Sequence, residues 1–120
     1  CKKLGSIVIP KSVVKIGMHS FAECSGLTEI NLPENIQAID AYTFAGCSGL
    51  HDIRIPQGVT RIERSAFEKA SNLKIIHIPD SVTFIDWGAL NTFGNTTIHA
   101  PAGSYAETYA KENNIPFVAE

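Results

Sequence analysis

The sequence has almost no net charge. Ten basic residues against twelve acidic ones leave a formal −2 over 120 residues. That gives no electrostatic case for nucleic-acid binding, which usually needs a basic face, and no pull toward an acidic membrane surface. Long apolar runs are missing as well. Nothing approaches the roughly 18 consecutive apolar residues that cross a bilayer as a helix, so direct membrane insertion is not expected. No secretory leader opens the chain, and Cys1 stands at the first position in place of Met. Catalytic signatures are also absent: there is no nucleophile elbow, no phosphate-cradling glycine loop and no metal-ligand pair at helical spacing. Ser48, His51 and Asp52 lie close together, but neighbours on a strand point to opposite sides, so proximity in sequence does not make a triad. The chain reads as a non-enzyme without a cofactor, and its length suits one domain.

What is present is a repeat. The segment Cys24 to Gly46, CSGLTEINLPENIQAIDAYTFAG, recurs 23 residues later and 23 residues earlier, and in looser form over 70–92. Pro10, Pro33, Pro56 and Pro79 keep the 23-residue period, and Pro101 follows after 22. Leu4, Leu27, Leu50 and Leu73 share one phase, and Ile7, Ile30, Ile53 and Ile76 another. A unit this short cannot bury its apolar face alone, so the units must stack as a solenoid. The coils are 1–23, 24–46, 47–69 and 70–92, with 93–120 forming a partial coil and a cap. Cys1 falls in repeat phase, which leads us to expect a piece of a longer protein with further coils and a targeting signal upstream.

Within a coil, Leu27-Thr28-Glu29-Ile30-Asn31-Leu32 alternates at its end, the mark of a strand with Ile30 and Leu32 inward and Glu29 and Asn31 outward. Pro33 ends it, having no amide hydrogen for a ladder. Strands of successive coils should pair in parallel, about 4.8 Å apart. A Val/Ile pair spaced by three then starts an extended return path, and the Ala-Phe stretch closes the coil as a helical turn. Past residue 92, Asn95 to Pro101 reads as a shortened fifth strand. Ser104 with Glu107 is a capping-box pair. Tyr105, Ala106, Tyr109 and Ala110 have helical spacing, and 115–118 is an extended tail.

The LxxIxIP segment (Leu50 to Pro56), the VxxI segment (Val59 to Ile62) and the AFxxC segment around Phe44 to Cys47 resemble the BspA-like class of leucine-rich repeats. The terminal SYAETYAKENNIPF is similar to that class as well. The resemblance covers nearly the whole chain. It implies an α/β leucine-rich-repeat solenoid, a right-handed superhelix with one parallel strand per 23-residue coil and a C-terminal helical cap. It also implies a bacterial cell-surface or secreted protein used in adhesion or protein binding, with host extracellular-matrix or cell-surface proteins as partners. A structural spacer, or an accessory module of a larger surface protein, is the alternative.

The candidate binding residues are those on the outward strand row, where the sequence varies while the core repeats: Glu29, Asn31, Asp52, Arg54, Ile75, His77 and His99. Arg54 is central and capable of bidentate pairing. A merely solvated face is the competing reading. His77 and His99 hold equivalent outward places and have the option of sharing a metal, but a ladder of surface imidazoles is the commoner arrangement, and no metal site is assigned. Phe84 and Trp87 suggest either a partner surface or, the reading favoured here, packing against the cap. Asn95-Thr96-Thr97 is a glycosylation tripeptide.

The three cysteines share one repeat position, which Ala70 fills in the fourth coil. A site satisfied by alanine wants a small buried group, and stacked side chains with parallel Cβ directions suit a disulfide poorly, so three unpaired thiols are expected. The first coil lacks a cap, which predicts an apolar edge around Leu4, Ile7, Val13 and Phe21 and weak self-association there.

Overall fold

The computed structural model describes residues 5–18, 20–86, 88–90 and 96–120. Each coil is a ring with three sides, and backbone hydrogen bonds join each coil to the next. The first side carries β1 (Ser6–Val8), β2 (Glu29–Asn31), β4 (Asp52–Arg54), β6 (Ile75–His77) and β8 (Thr97–Ala100). The second carries β3 (Ala38–Ile39), β5 (Arg61–Ile62) and β7 (Phe84–Ile85), paired in parallel in that order. Among the described residues the third has no strand, but its coils are joined by Phe21 N–H to Thr43 O (3.0 Å), Phe44 N–H to Ala66 O (2.8 Å) and Phe67 N–H to Ala89 O (2.9 Å).

The core is the repeat phase made physical. Leu27, Leu50 and Leu73 are fully buried, as are Ile53, Ile76 and Ile98 on successive strands. Phe44 lies stacked between Phe21 and Phe67, with ring centroids 5.6 and 5.3 Å away. Polar side chains fill the gaps between coils along the same period. Thr28 Oγ1 donates to Gly5 O, Asn72 Nδ2 to Ser48 O and Thr96 Oγ1 to Leu73 O, each at 2.7 Å.

The Ala-Phe stretch is not the expected helical turn. It is a chain of tight turns, with Thr43 N–H bonded to Asp40 O, Ala45 N–H to Tyr42 O and Cys47 N–H to Phe44 O. The left-handed backbone of Tyr42 (φ 61°) and Gly46 (φ 76°) stops helix propagation, and Ser65, Glu23 and Lys69 repeat the same geometry in their coils. Only glycine adopts this region without cost. Glu23 and Lys69 are held there by the coil corner, which must bend at that place whatever residue occupies it.

The expectation of three unpaired thiols is corrected by the fold. Cys24 is disulfide-bonded, whereas Cys47 is free and buried. Neighbouring coils stand at a Cα spacing of about 4.8 Å, which falls inside the range of roughly 4.4–6.8 Å that disulfides span. The parallel Cβ directions are therefore no bar. One coil further on, the Cys47 thiol donates to Phe21 O at 3.0 Å, and burial pushes its pKa up to about 11. It stays a protonated, packed group.

The far end follows the sequence reading and then exceeds it. Helix α1 (Tyr105–Glu112) is capped by Ser104, whose Oγ accepts from Glu107 N–H at 3.3 Å, while Glu107 reaches back to Gly103 N–H at 2.7 Å. Ala106, Tyr109 and Ala110 face the last coil, and Tyr109 Oη donates to Asp86 O at 3.2 Å. The tail then forms β9 (Phe117–Ala119), which pairs in parallel with β8 and places Phe117 beside Ile98. At the opposite end, Ile7, Val13 and Phe21 are only half-buried, in line with the expected apolar edge; Leu4 lies outside the described residues.

Inward strand positions tolerate no charge in this arrangement. Ile53→Asp should abolish the cooperative thermal transition, because an unpaired buried carboxylate costs several kcal/mol against a net stability of about 5–15 kcal/mol. Phe44→Ala should cost ~3–5 kcal/mol. Calorimetry showing either variant melting within a few degrees of the parent would refute the stacked core.

Candidate functional site

The outward row lies on the first side of the solenoid. Parallel pairing sets Asp52, Ile75 and Thr97 in one column and Arg54, His77 and His99 in the next. Ser6 pairs with Glu29 and Val8 with Asn31. The expectation of one continuous sheet holds only in part: among the described residues β2 and β4 are neighbours without a ladder, so this side consists of β1–β2 and β4–β6–β8–β9. The coils remain bonded across that step by β3 with β5 on the second side and by Phe44 N–H on the third.

A groove of about 970 Å³ runs over this face, lined among others by Glu29, Asn31, Asp52, Arg54, His77 and Glu120. Glu34 and Asp80 also border it. The carboxylates outnumber the one guanidinium, so the field in the groove is negative and favours a cationic partner.

At one end of the groove the charges gather. His77 Nδ1 stands 3.1 and 3.2 Å from the two carboxylate oxygens of Glu120. His99 Nδ1 is 3.8 Å from Glu120 Oε2, and His77 Nε2 is 3.6 Å from Asp52 Oδ1. The two imidazole centroids lie 5.1 Å apart, tilted by 58°. The histidine side chains are 16 % and 22 % exposed and that of Glu120 is 38 % exposed, so the rings are held while the carboxylate keeps some freedom. The hydrogen bond from His77, and more weakly the positive charges of His77, Arg54 and His99, hold the Glu120 carboxyl below its ordinary value of 4.5; slight burial opposes them.

Each of the seven sequence-derived candidates lies on the outward face. Glu29, Asn31, Asp52 and Arg54 are exposed; Ile75, His77 and His99 are partly covered. The structure joins Asp52, His77 and His99 in one cluster and leaves Glu29 and Asn31 across the unpaired step. Sequence reasoning does not find Glu120. The only sequence signal for it is the alternation within the tail, which puts Val118 and Glu120 on the face opposite Phe117. Phe84, expected to pack on the cap, lies under Arg61, whose guanidinium carbon is 4.4 Å from the ring centroid, on a strand that the cap helix contacts. Trp87 and Asn95 lie outside the described residues. Thr96 of the same tripeptide is buried. No helix of the described residues is long and apolar enough to cross a membrane.

A family model described as BspA type leucine rich repeat region matches residues 1–114, in 6 copies. No curated protein matches the chain. Among solved structures, a leucine-rich cell surface protein from Faecalibacterium prausnitzii is similar with 38% identity and a TM-score of 0.79, over 89% of this chain and 28% of that one. A leucine-rich repeat protein from Bacteroides ovatus shares 29% identity with a TM-score of 0.57, over 82% of this chain and 32% of that one. The pneumococcal vaccine antigen PcpA shares the fold, at 18% identity and a TM-score of 0.72 over 98% of this chain and 36% of its own. The chain thus spans about a third of the length of these relatives.

The Glu120 contact has a pH signature. A carboxyl whose folded pKa is depressed stabilises the fold above its unfolded value and loses that contribution as pH falls through the folded one. Amide exchange at Val118 and Ala119, corrected for intrinsic rates, should therefore accelerate as pH drops below about 4.5 in the parent. In Glu120→Gln it should already be faster at neutral pH and respond little to acid. Identical pH profiles for the two proteins would show that Glu120 does not tether β9.

Proposed function

Because the chain belongs to the BspA type leucine-rich repeat family, we propose that it is a non-enzymatic protein-binding module of a bacterial cell-surface or secreted protein. The observation that carries this reading is the division of each strand. Inward residues repeat from coil to coil, whereas the outward ones change at every rung but that of His77 and His99 and line a groove large enough to hold a peptide segment. Strands held by the packed core beneath them present these side chains with little entropy left to lose on binding. The surplus of carboxylates in the groove suits a partner segment rich in Lys and Arg, and Arg54 at its centre can pair a carboxylate of the same partner. Extracellular-matrix and host-surface proteins are the partner class in this reading. Weak self-association through Ile7, Val13 and Phe21 is a separate part of it.

Binding to a panel of immobilised extracellular-matrix glycoproteins tests the proposal. Asp52→Ala with Arg54→Ala should weaken any bound member by roughly 1–4 kcal/mol, whereas Lys15→Ala with Arg61→Ala should leave it unchanged. Loss of binding only in the second pair would move the binding surface off the groove. A panel that binds nothing would favour the spacer reading. Sedimentation at rising protein concentration reads the self-association, and Ile7→Lys with Val13→Lys should suppress it; a strictly monomeric parent would remove that part of the proposal.

A further inference from the structure

The cluster at the end of the groove has the composition and arrangement of a metal site. We propose that His77, His99 and Glu120 bind one divalent transition-metal ion of the zinc type, with Asp52 as the outer carboxylate that orients His77. The inference does not depend on the protein-binding reading, since it concerns three donors and an ion.

The ladder brings the donors together. His77 and His99 are direct rungs of β6 and β8, and β9 delivers Glu120 beside them through its pairing with β8. One ligand atom from each of the three residues lies within 4.8 Å of the other two. The ligand atoms of a tetrahedral zinc ion stand roughly 3.3 Å apart, given bonds of about 2.0–2.2 Å. Glu120 Oε2 already stands 3.2 and 3.8 Å from the two Nδ1 atoms, so the closure, at most about 1.5 Å, falls mainly on the two imidazole nitrogens and is met by small rotations of the rings.

The direction of the nitrogens is the more specific feature. Both Nδ1 atoms face the same carboxylate, at 3.1 Å for His77 and 3.8 Å for His99. The other nitrogen of His77 faces Asp52 Oδ1 at 3.6 Å. A ligating imidazole that gives its second N–H to a carboxylate is the recurrent outer shell of protein metal sites. Asp52 and Glu120 together compensate a doubly charged ion, while the positive charge of Arg54 opposes it. Two imidazoles with one carboxylate select zinc-like ions over calcium and magnesium, which need oxygen ligands. Three protein ligands leave a fourth position for water or for a donor from a bound partner.

Titration of the chelator-stripped, untagged 120-residue chain with Zn²⁺ in a calorimeter, and with Co²⁺ followed by visible absorption, tests the site. One saturable equivalent is expected, with the intense cobalt band of four-coordinate geometry and no competition from Ca²⁺ or Mg²⁺. His77→Ala, His99→Ala and Glu120→Gln should each weaken binding by tenfold or more, and Asp52→Asn by about tenfold. Arg54→Gln should tighten it. Zn²⁺ should also slow amide exchange at Val118 in the parent and not in Glu120→Gln. Melting curves of the metal-free variants show whether a histidine variant has merely unfolded, and Glu120→Gln, a change at a half-exposed side chain, reads the site even if they have. No saturable binding, or an unchanged Kd in the His77→Ala/His99→Ala double variant, would overturn the proposal.

Discussion

No coil of this protein can hold its own shape. A ring of 23 residues offers one short row of apolar side chains and too few internal hydrogen bonds to offset the entropy of ordering its backbone. Its neighbours supply what is missing. Leu50, Ile53 and Phe44 are buried by the equivalents of themselves one coil up and one coil down. Amides that cannot be satisfied within a ring are satisfied by the next ring, on all three sides except at the step between β2 and β4. Stability is therefore a property of contacts between coils. The ends of the array, where one neighbour gives way to something else, are where composition and structure change. Helix α1 and strand β9 form that change at one end.

The outward face follows from the same constraint. Once the inward residues are committed to packing, the outward ones are free to differ, and parallel pairing lines them up in columns without further specification. His77 beside His99 is a direct product of this register. The unpaired step between β2 and β4 has the opposite character. It interrupts one side while the other two keep the coils joined, so the groove can lie across it without loss of the core.

The repeat makes the core and the coil boundaries legible in the sequence itself. Leucine, isoleucine and phenylalanine at fixed phases are directly the buried residues, and the Ser104–Glu107 cap and its helix are visible from spacing. What stays hidden has physical reasons. The left-handed corner falls on Glu23, Gly46 and Lys69, and only one of these is glycine, so composition does not announce the bend that replaces a helical turn. The disulfide at Cys24 is masked because the argument against it, from Cβ directions, is one that coil spacing does not enforce. Glu120 belongs to a tail outside the repeat, where no phase relation says which strand it will join. Its meeting with His77 depends on a pairing that is non-local in sequence.

The fixed count of residues per coil bears on how such a chain can change its length. Thr28 meets Gly5, Asn72 meets Ser48 and Thr96 meets Leu73 at separations of 23 or 24 residues, and every strand pair between full coils keeps the same offset. One added residue inside a ring would put its strand out of step with both neighbours and turn inward side chains outward. A whole added ring would leave each of these meetings intact. At the level of the gene, a duplication of 23 codons, or a multiple of it, is a small structural event, and a single inserted codon within a strand is a large one. Arrays of this design are thus open to growth by unequal recombination between near-identical segments and closed to gradual drift in length.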